Sequence, residues 1–423
     1  MAHTEQQIFQ KYELAKMQYA NFGVDVERAL LKLGMLEISL HCWQGDDVAG
    51  FEDRDFGLSG GIAATGNYPG KARSVDELRR DLDLVYRLLP GKHRLNLHAI
   101  YLESDKKIPR DEILPEHFRG WVDWAKENQH GLDFNPTCFS HPKADSGFTL
   151  SSPDQGIRQF WVDHCIACRK IGESFGRELG KPAITNIWIP DGYKDTPFDR
   201  VSPRKRLVDS LDRVLAENID KRYNLDAVEP KLFGIGSESY VTGSMEFYLG
   251  YAITRGILLT LDSGHFHPTK SVSDKISSLF LYLDALLLHV SRGVRWDSDH
   301  VVTYDDALQS IAQEVVRQEA FDRTYIGFDY FDASINRVAA WTIGARNTLK
   351  AFLAALLEPK SMLAQAEKEG DFTKRLALME NQKWMPLSDI WDYYCLKNDV
   401  PYGMDYLKVV KEYERGVLFK RQQ

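Results

Sequence analysis

Seven side chains able to bind a hard metal recur where apolar runs of this chain end. Glu229 closes NLDAVE, Asp262 and His265 follow in LTLDSGH, and His289 ends ALLLH. Asp297 and Asp299 flank Ser298 in RWDSD, and Asp329 ends YIGFD. Alternate residues of a strand share a face, so Glu229 and Lys231 can point the same way, as can Asp297 and Asp299. Gly264 permits the turn that would bring His265 back beside Asp262. Carboxylates with imidazole suit Mg²⁺ or Mn²⁺, and the imidazoles tilt the choice toward the transition metal. A closed zinc site would more usually take nitrogen or sulfur ligands, and no cysteine stands near these motifs. Taken singly, His289 reads as a hydrogen-bonded core histidine, Asp329 as a helix cap and Glu229 as a salt-bridge partner of Lys231. Their joint placement carries the metal reading. His267 and His300 read as supporting or structural groups.

The elements that must position these groups alternate along the chain. Strand patterns occupy 34–43, 94–102, 132–139, 183–189, 224–233, 257–266, 286–291 and 324–331. Amphipathic helical stretches such as 74–89 and 155–179 separate them. Eight strands, each followed by a crossover, predict an α/β fold, a (β/α)₈ TIM barrel whose strand ends converge on one mouth. A doubly wound sheet is the competing architecture. Residues 4–33 predict an N-terminal helix. The expected division is a barrel over 1–345 and a helical C-terminal extension over 346–423, serving oligomer contacts.

The connection from 45 to 74 is long enough to be functional or a surface insertion. It is no phosphate loop, because Ala72 follows Gly70-Lys71. Trp43, Phe139 and Trp188 end strands and could form an apolar wall against a sugar. Cys165 and Cys168 sit within a helical pattern and read as core.

A formal charge of −8 argues against a general nucleic-acid binder, which needs a clustered positive surface. Five scattered cysteines fit a reducing compartment better than a disulfide framework. The start has no apolar signal segment, and no apolar run is long enough to span a membrane. A soluble cytoplasmic protein is the expectation.

The stretches LTLDSGHFHPTKSVSDKISS, HVSRGVRWDSDHVV and GFDYFDASINRVAAW resemble those of the L-rhamnose isomerase family, itself related to the xylose isomerase-like barrels. The resemblance covers essentially the whole chain. It implies one ion on Glu229, Asp262, His289 and Asp329, and a second on His265, Asp297 and Asp299, with Asp262 able to bridge. It further implies cytoplasmic homotetramers that prefer Mn²⁺ and interconvert L-rhamnose and L-rhamnulose.

On that footing, the expected chemistry is metal-assisted transfer of hydrogen between C2 and C1, His265, Asp297 and Asp299 holding the cation that activates a water. Lys231 is expected to steady charge on O1. His98 is expected to hydrogen-bond the sugar and assist ring opening, and Trp188 to contact it. The alternatives are an isomerase or epimerase of another aldose, a metal-dependent DNA-repair nuclease, and a non-catalytic sugar-binding protein.

Overall fold

The computed structural model describes residues 4–52, 65–231, 239–267, 269–294 and 300–422. Eight strands fall on the eight segments expected, with β3 starting one residue early: β1 (Ile38–His41), β2 (Arg94–His98), β3 (Gly131–Asn135), β4 (Ala183–Ile187), β5 (Asn224–Val228), β6 (Leu258–Asp262), β7 (Leu286–His289) and β8 (Thr324–Gly327). Each pairs in parallel with the next, and β8 closes on β1 through Ile38–Ile326 and Ser39–Gly327. The architecture is the (β/α)₈ barrel, and the doubly wound sheet is excluded. The strands are shorter than their apolar runs. The surplus apolar residues belong to buried turns that leave the ladder, such as Cys42–Gln44 after β1 and Ala99–Tyr101 after β2.

Two helices precede the barrel, where the periodicity predicts one: α1 (Glu5–Ala20) and α2 (Val26–Leu33). The break has a local cause. Gly23 adopts a left-handed φ of 72°, and the Asp25 side chain then accepts from Arg28 N to start the second helix. The crossover helices are α3 (Val75–Arg87), α4 (Arg119–Asn128), α5 (Gln155–Leu179), α6 (Val201–Ala216), α7 (Met245–Arg255), α8 (Ser273–Leu279), α9 (Asp306–Arg317) and α10 (Arg337–Leu356). Capping fixes several starts: Ser74 accepts from Glu77 N and Asp154 from Ile157 N. The main core lies between strands and helices, where Leu40, Leu97, Phe134 and Leu261 meet residues such as Leu82, Trp121, Phe175 and Trp341.

The last crossover helix, α10, continues through residue 345. Four helices follow: α11 (Lys360–Lys368), α12 (Phe372–Gln382), α13 (Leu387–Lys397) and α14 (Tyr406–Gly416). Beyond α14 the chain returns to the barrel. Arg421 donates twice to Asp81 of α3, at 2.7 and 2.8 Å, and once to the Gly70 carbonyl at 3.0 Å. Glu414 accepts from Tyr68 and from Asn336, both at 2.7 Å. This return therefore pins residues 68–70 of the long connection, as does Arg337, which grips Asp47 and donates to the Tyr68 carbonyl.

Inside the barrel, Ile184, Ala227, Leu258 and Leu287 form an apolar cluster. The opposite side of the lumen is polar. Arg94 makes two bonds to Asp133, which also accepts from Ser39 Oγ and Ile184 N. Among the described residues, no helix is long and apolar enough to cross a membrane.

Candidate metal centre

Parallel pairing decides which strand ends become neighbours. Asp262 and His289 are the final residues of β6 and β7 and are register partners. Glu229 follows the last residue of β5, and Asp329 lies two positions beyond β8. Ligand atoms of Glu229, Asp262, His289 and Asp329 lie within 4.8 Å of one another. Only Asp329 is not fully buried. His289 Nδ1 stands 3.3 Å from Glu229, 3.8 Å from Asp262 and 3.9 Å from Asp329.

The electrostatics follow from that crowding. Burial works to lower the basicity of His289, but the carboxylates of Glu229, Asp329 and Asp262 outweigh it and push its pKa up. Burial likewise works to raise Glu229, and the facing imidazoles of His289 and His265, with Asn186, draw it down instead. Three carboxylates around one imidazole leave excess negative charge in a buried space. Glu229 Oε1 makes no hydrogen bond to a described residue, although His265 Nδ1 lies 3.2 Å away. An oxygen-rich set with one imidazole and an orphaned buried carboxylate oxygen fits a hard divalent cation.

Behind Glu229 stands a support that its own motif does not show. Asn186 Nδ2 donates to Glu229 Oε2 at 2.6 Å, and Thr260 Oγ1 donates to Asn186 Oδ1 at 2.8 Å. The Thr260 bond fixes which end of the amide faces the carboxylate. Both residues sit two positions before a noted one, Trp188 and Asp262, and that shared parity is the only signal the sequence gives of them. Asp262 is oriented by Gly264 N, which donates to its Oδ1 at 2.7 Å.

His265 follows Asp262 by one turn, its backbone N–H donating to the Asp262 carbonyl at 3.1 Å. The turn expected at Gly264 thus places it against Glu229. Asp297 and Asp299 lie outside the described residues. His267 bonds Thr269 within its own turn, and His300 pairs through its backbone with Arg292, so neither joins the cluster.

The remaining predicted residues form an arc around the mouth. The Trp43 ring lies 4.7 Å from that of His98, which lies 5.5 Å from Phe139, itself 5.8 Å from Trp188. The Lys231 ammonium sits 4.9 Å over the Trp188 ring. Trp43 Nε1 donates to the Asp329 carbonyl at 3.4 Å, tying this arc to the carboxylate–imidazole cluster. Burial, reinforced by the Arg110 charge, pushes His98 down to about 3, so it stays neutral at physiological pH. Its Nδ1 meets Thr137 Oγ1 at 3.0 Å, a partner in the turn after β3, within the 132–139 segment read as strand. Cys165 and Cys168 are buried and unbridged in α5, remote in role from the cluster.

The family model for L-rhamnose isomerase (RhaA) matches residues 6–421. The L-rhamnose isomerases of Salmonella gallinarum and Salmonella agona are each 60% identical over 415 residues, spanning 98% of this chain and 99% of theirs. Among solved structures, the D-allulose 3-epimerase from Methylomonas sp. is 13% identical, covering 75% of this chain and 94% of that one, with a TM-score of 0.45. An L-ribulose 3-epimerase is 12% identical, covering 80% and 98%, with a TM-score of 0.45. On the family match and the full-length identity, this chain belongs to the L-rhamnose isomerase family.

Proposed function

We propose that this chain is a metal-dependent aldose–ketose isomerase that interconverts L-rhamnose and L-rhamnulose. The observation that carries the reading is the convergence of Glu229, Asp262, His289 and Asp329 beside a mouth lined by His98, Trp188 and Lys231. The reaction moves one hydrogen from C2 to C1 and one proton from O2 to O1. These four residues would hold a divalent cation, taken to be Mn²⁺, which when bound would supply Lewis acidity toward the sugar.

The chain's own groups have separable tasks. Asn186, held by Thr260, fixes the Glu229 carboxylate in one orientation. Trp43, Phe139 and Trp188 offer an apolar wall that packs a sugar face and displaces water. Lys231 supplies positive charge where negative charge grows on O1. His98 is neutral, so it offers the sugar a hydrogen-bonding imidazole during ring opening instead of presenting a fixed cation. His265, with Asp297 and Asp299, is the proposed holder of a second ion, supported by its position against Glu229.

The helices after α10 are proposed to make contacts between copies in a homotetramer. Phe372, Leu376 and Trp384, exposed on α12 and the turn after it, support that role. A cytoplasmic location belongs to the same reading, supported by five unbridged cysteines.

The test is ketose formation from L-rhamnose. Turnover is expected with Mn²⁺, lost with chelator and restored by added Mn²⁺. Metal-replete protein that makes no ketose would overturn the reading.

A further inference from the structure

The barrel lumen is open between its polar residues and Ile184 and Leu287 of the apolar cluster. A cavity of about 360 Å³ runs from the underside, where Met35, Glu37 and Lys181 lie at its lip, up to His289 and Asn186 at the metal-ligand cluster. The lip residues precede β1 and β4, while His289 ends β7 and Asn186 is the penultimate residue of β4, so the cavity spans the barrel lengthwise. Barrels of this class ordinarily fill their interior with layers of apolar side chains. Here Gly327 of β8 leaves one inward position without a side chain, and Ser39, Asn96 and Asn135 supply small polar ones.

Two of these carry an unmet demand. Asn96 Oδ1 and Asn135 Oδ1 are buried, the residues being 4% and 5% exposed, and neither has a hydrogen-bond partner among the described residues. A carbonyl oxygen buried without a partner is costly, and internal water is the usual remedy where the site is polar and roomy. The Asp133 carboxylate does not compete for a bound cation, because Arg94, Ser39 and Ile184 N already satisfy it. The ligand this space recognises is therefore neutral, small and able to donate.

We propose that a file of water molecules threads the barrel from its underside to the metal-ligand cluster, anchored on the amide oxygens of Asn96 and Asn135. The file keeps the cluster in contact with bulk solvent when a substrate covers the mouth. That consequence rests on the isomerase reading. The occupancy of the passage does not.

The test combines diffraction with two near-isosteric variants, Asn96→Leu and Asn135→Leu. High-resolution crystals of the metal-replete protein, with and without L-rhamnose, are expected to show ordered waters from both amide oxygens to the lip in either state. In solution, oxygen-17 relaxation dispersion is expected to count fewer long-lived internal waters in each variant. Tm is expected to stay level or fall, since the native amides are already satisfied. An empty passage, or a variant whose Tm rises by about 2 °C or more through relief of a dry buried amide, would overturn the proposal. Waters seen only without the sugar would overturn the solvent-contact role. A crystal that takes up no sugar would count against the isomerase reading alone, leaving the sugar-free passage to decide occupancy.

Discussion

Asn186 shows how much of a candidate centre lies behind the residues proposed to hold its cation. Replacing it with Ala removes the bond that orients Glu229 while leaving every charge in place. Cation affinity is expected to weaken by about 10- to 100-fold, read by isothermal titration calorimetry, with the fold intact by circular dichroism. Unchanged affinity would show that Glu229 needs no such support. Lys231→Met tests a different role. It is expected to lower kcat by roughly 10²- to 10³-fold while cation affinity stays the same. If KM alone changed, the ammonium would be a binding group and no more. The carboxylates and imidazoles of the centre were legible because their chemistry coincides with the end of an apolar strand. Asn186 and Thr260 were not, since an amide or hydroxyl inside a strand looks the same whether it supports a ligand or only fills a layer. One glycine sets His265 in the turn after Asp262 and against Glu229, whereas Asp297 and Asp299 rest on sequence alone.

At the level of elements, close approach is written into single residues. Gly176 of α5 lies so near the Tyr223 carbonyl, at the entry to β5, that a Cβ would run into backbone that cannot swing aside. Gly176→Ala is expected to destabilise by about 1–3 kcal/mol, seen as a lower urea midpoint with an unchanged slope. The buried Arg94–Asp133 pair is a second such point, joining β2 to β3 at the barrel floor. Arg94→Leu leaves a buried carboxylate without its cation and is expected to cost about 3–5 kcal/mol by the same measurement. Strand number and order could be read from apolar runs alternating with helical periodicity. Strand ends could not, because turns buried after β1 and β2 are as apolar as the strands that precede them. The split of the N-terminal helix was hidden for a related reason: Phe22-Gly23 interrupts a pattern whose apolar spacing resumes on the far side.

For the molecule as a whole, buried imidazoles set a limit on acid tolerance. Burial pushes His41, His98 and His164 down to about 3 and His93 down to about 4. These folded values lie below the usual 6.5, so the unfolded chain takes up protons first as pH falls. The stability they contribute is full above about pH 6.5 and is lost progressively toward pH 4 and below. Each such proton steepens the dependence by about 1.4 kcal/mol per pH unit, so metal-free protein should show a urea midpoint that drops sharply between pH 6.5 and 5. A flat midpoint across that window would mean these rings are charged in the folded state.

The clasp of Arg421 on Asp81 and of Glu414 on Tyr68 has a consequence for biogenesis. Partners some 340 positions apart cannot meet while the ribosome still holds the later one. A nascent chain translated only through β8 has every barrel strand in hand, yet the rim beside Trp43 and Asp329 still lacks its clamp. Competence for catalysis should therefore appear only once residue 421 has emerged from the exit tunnel, well after the cylinder itself can close.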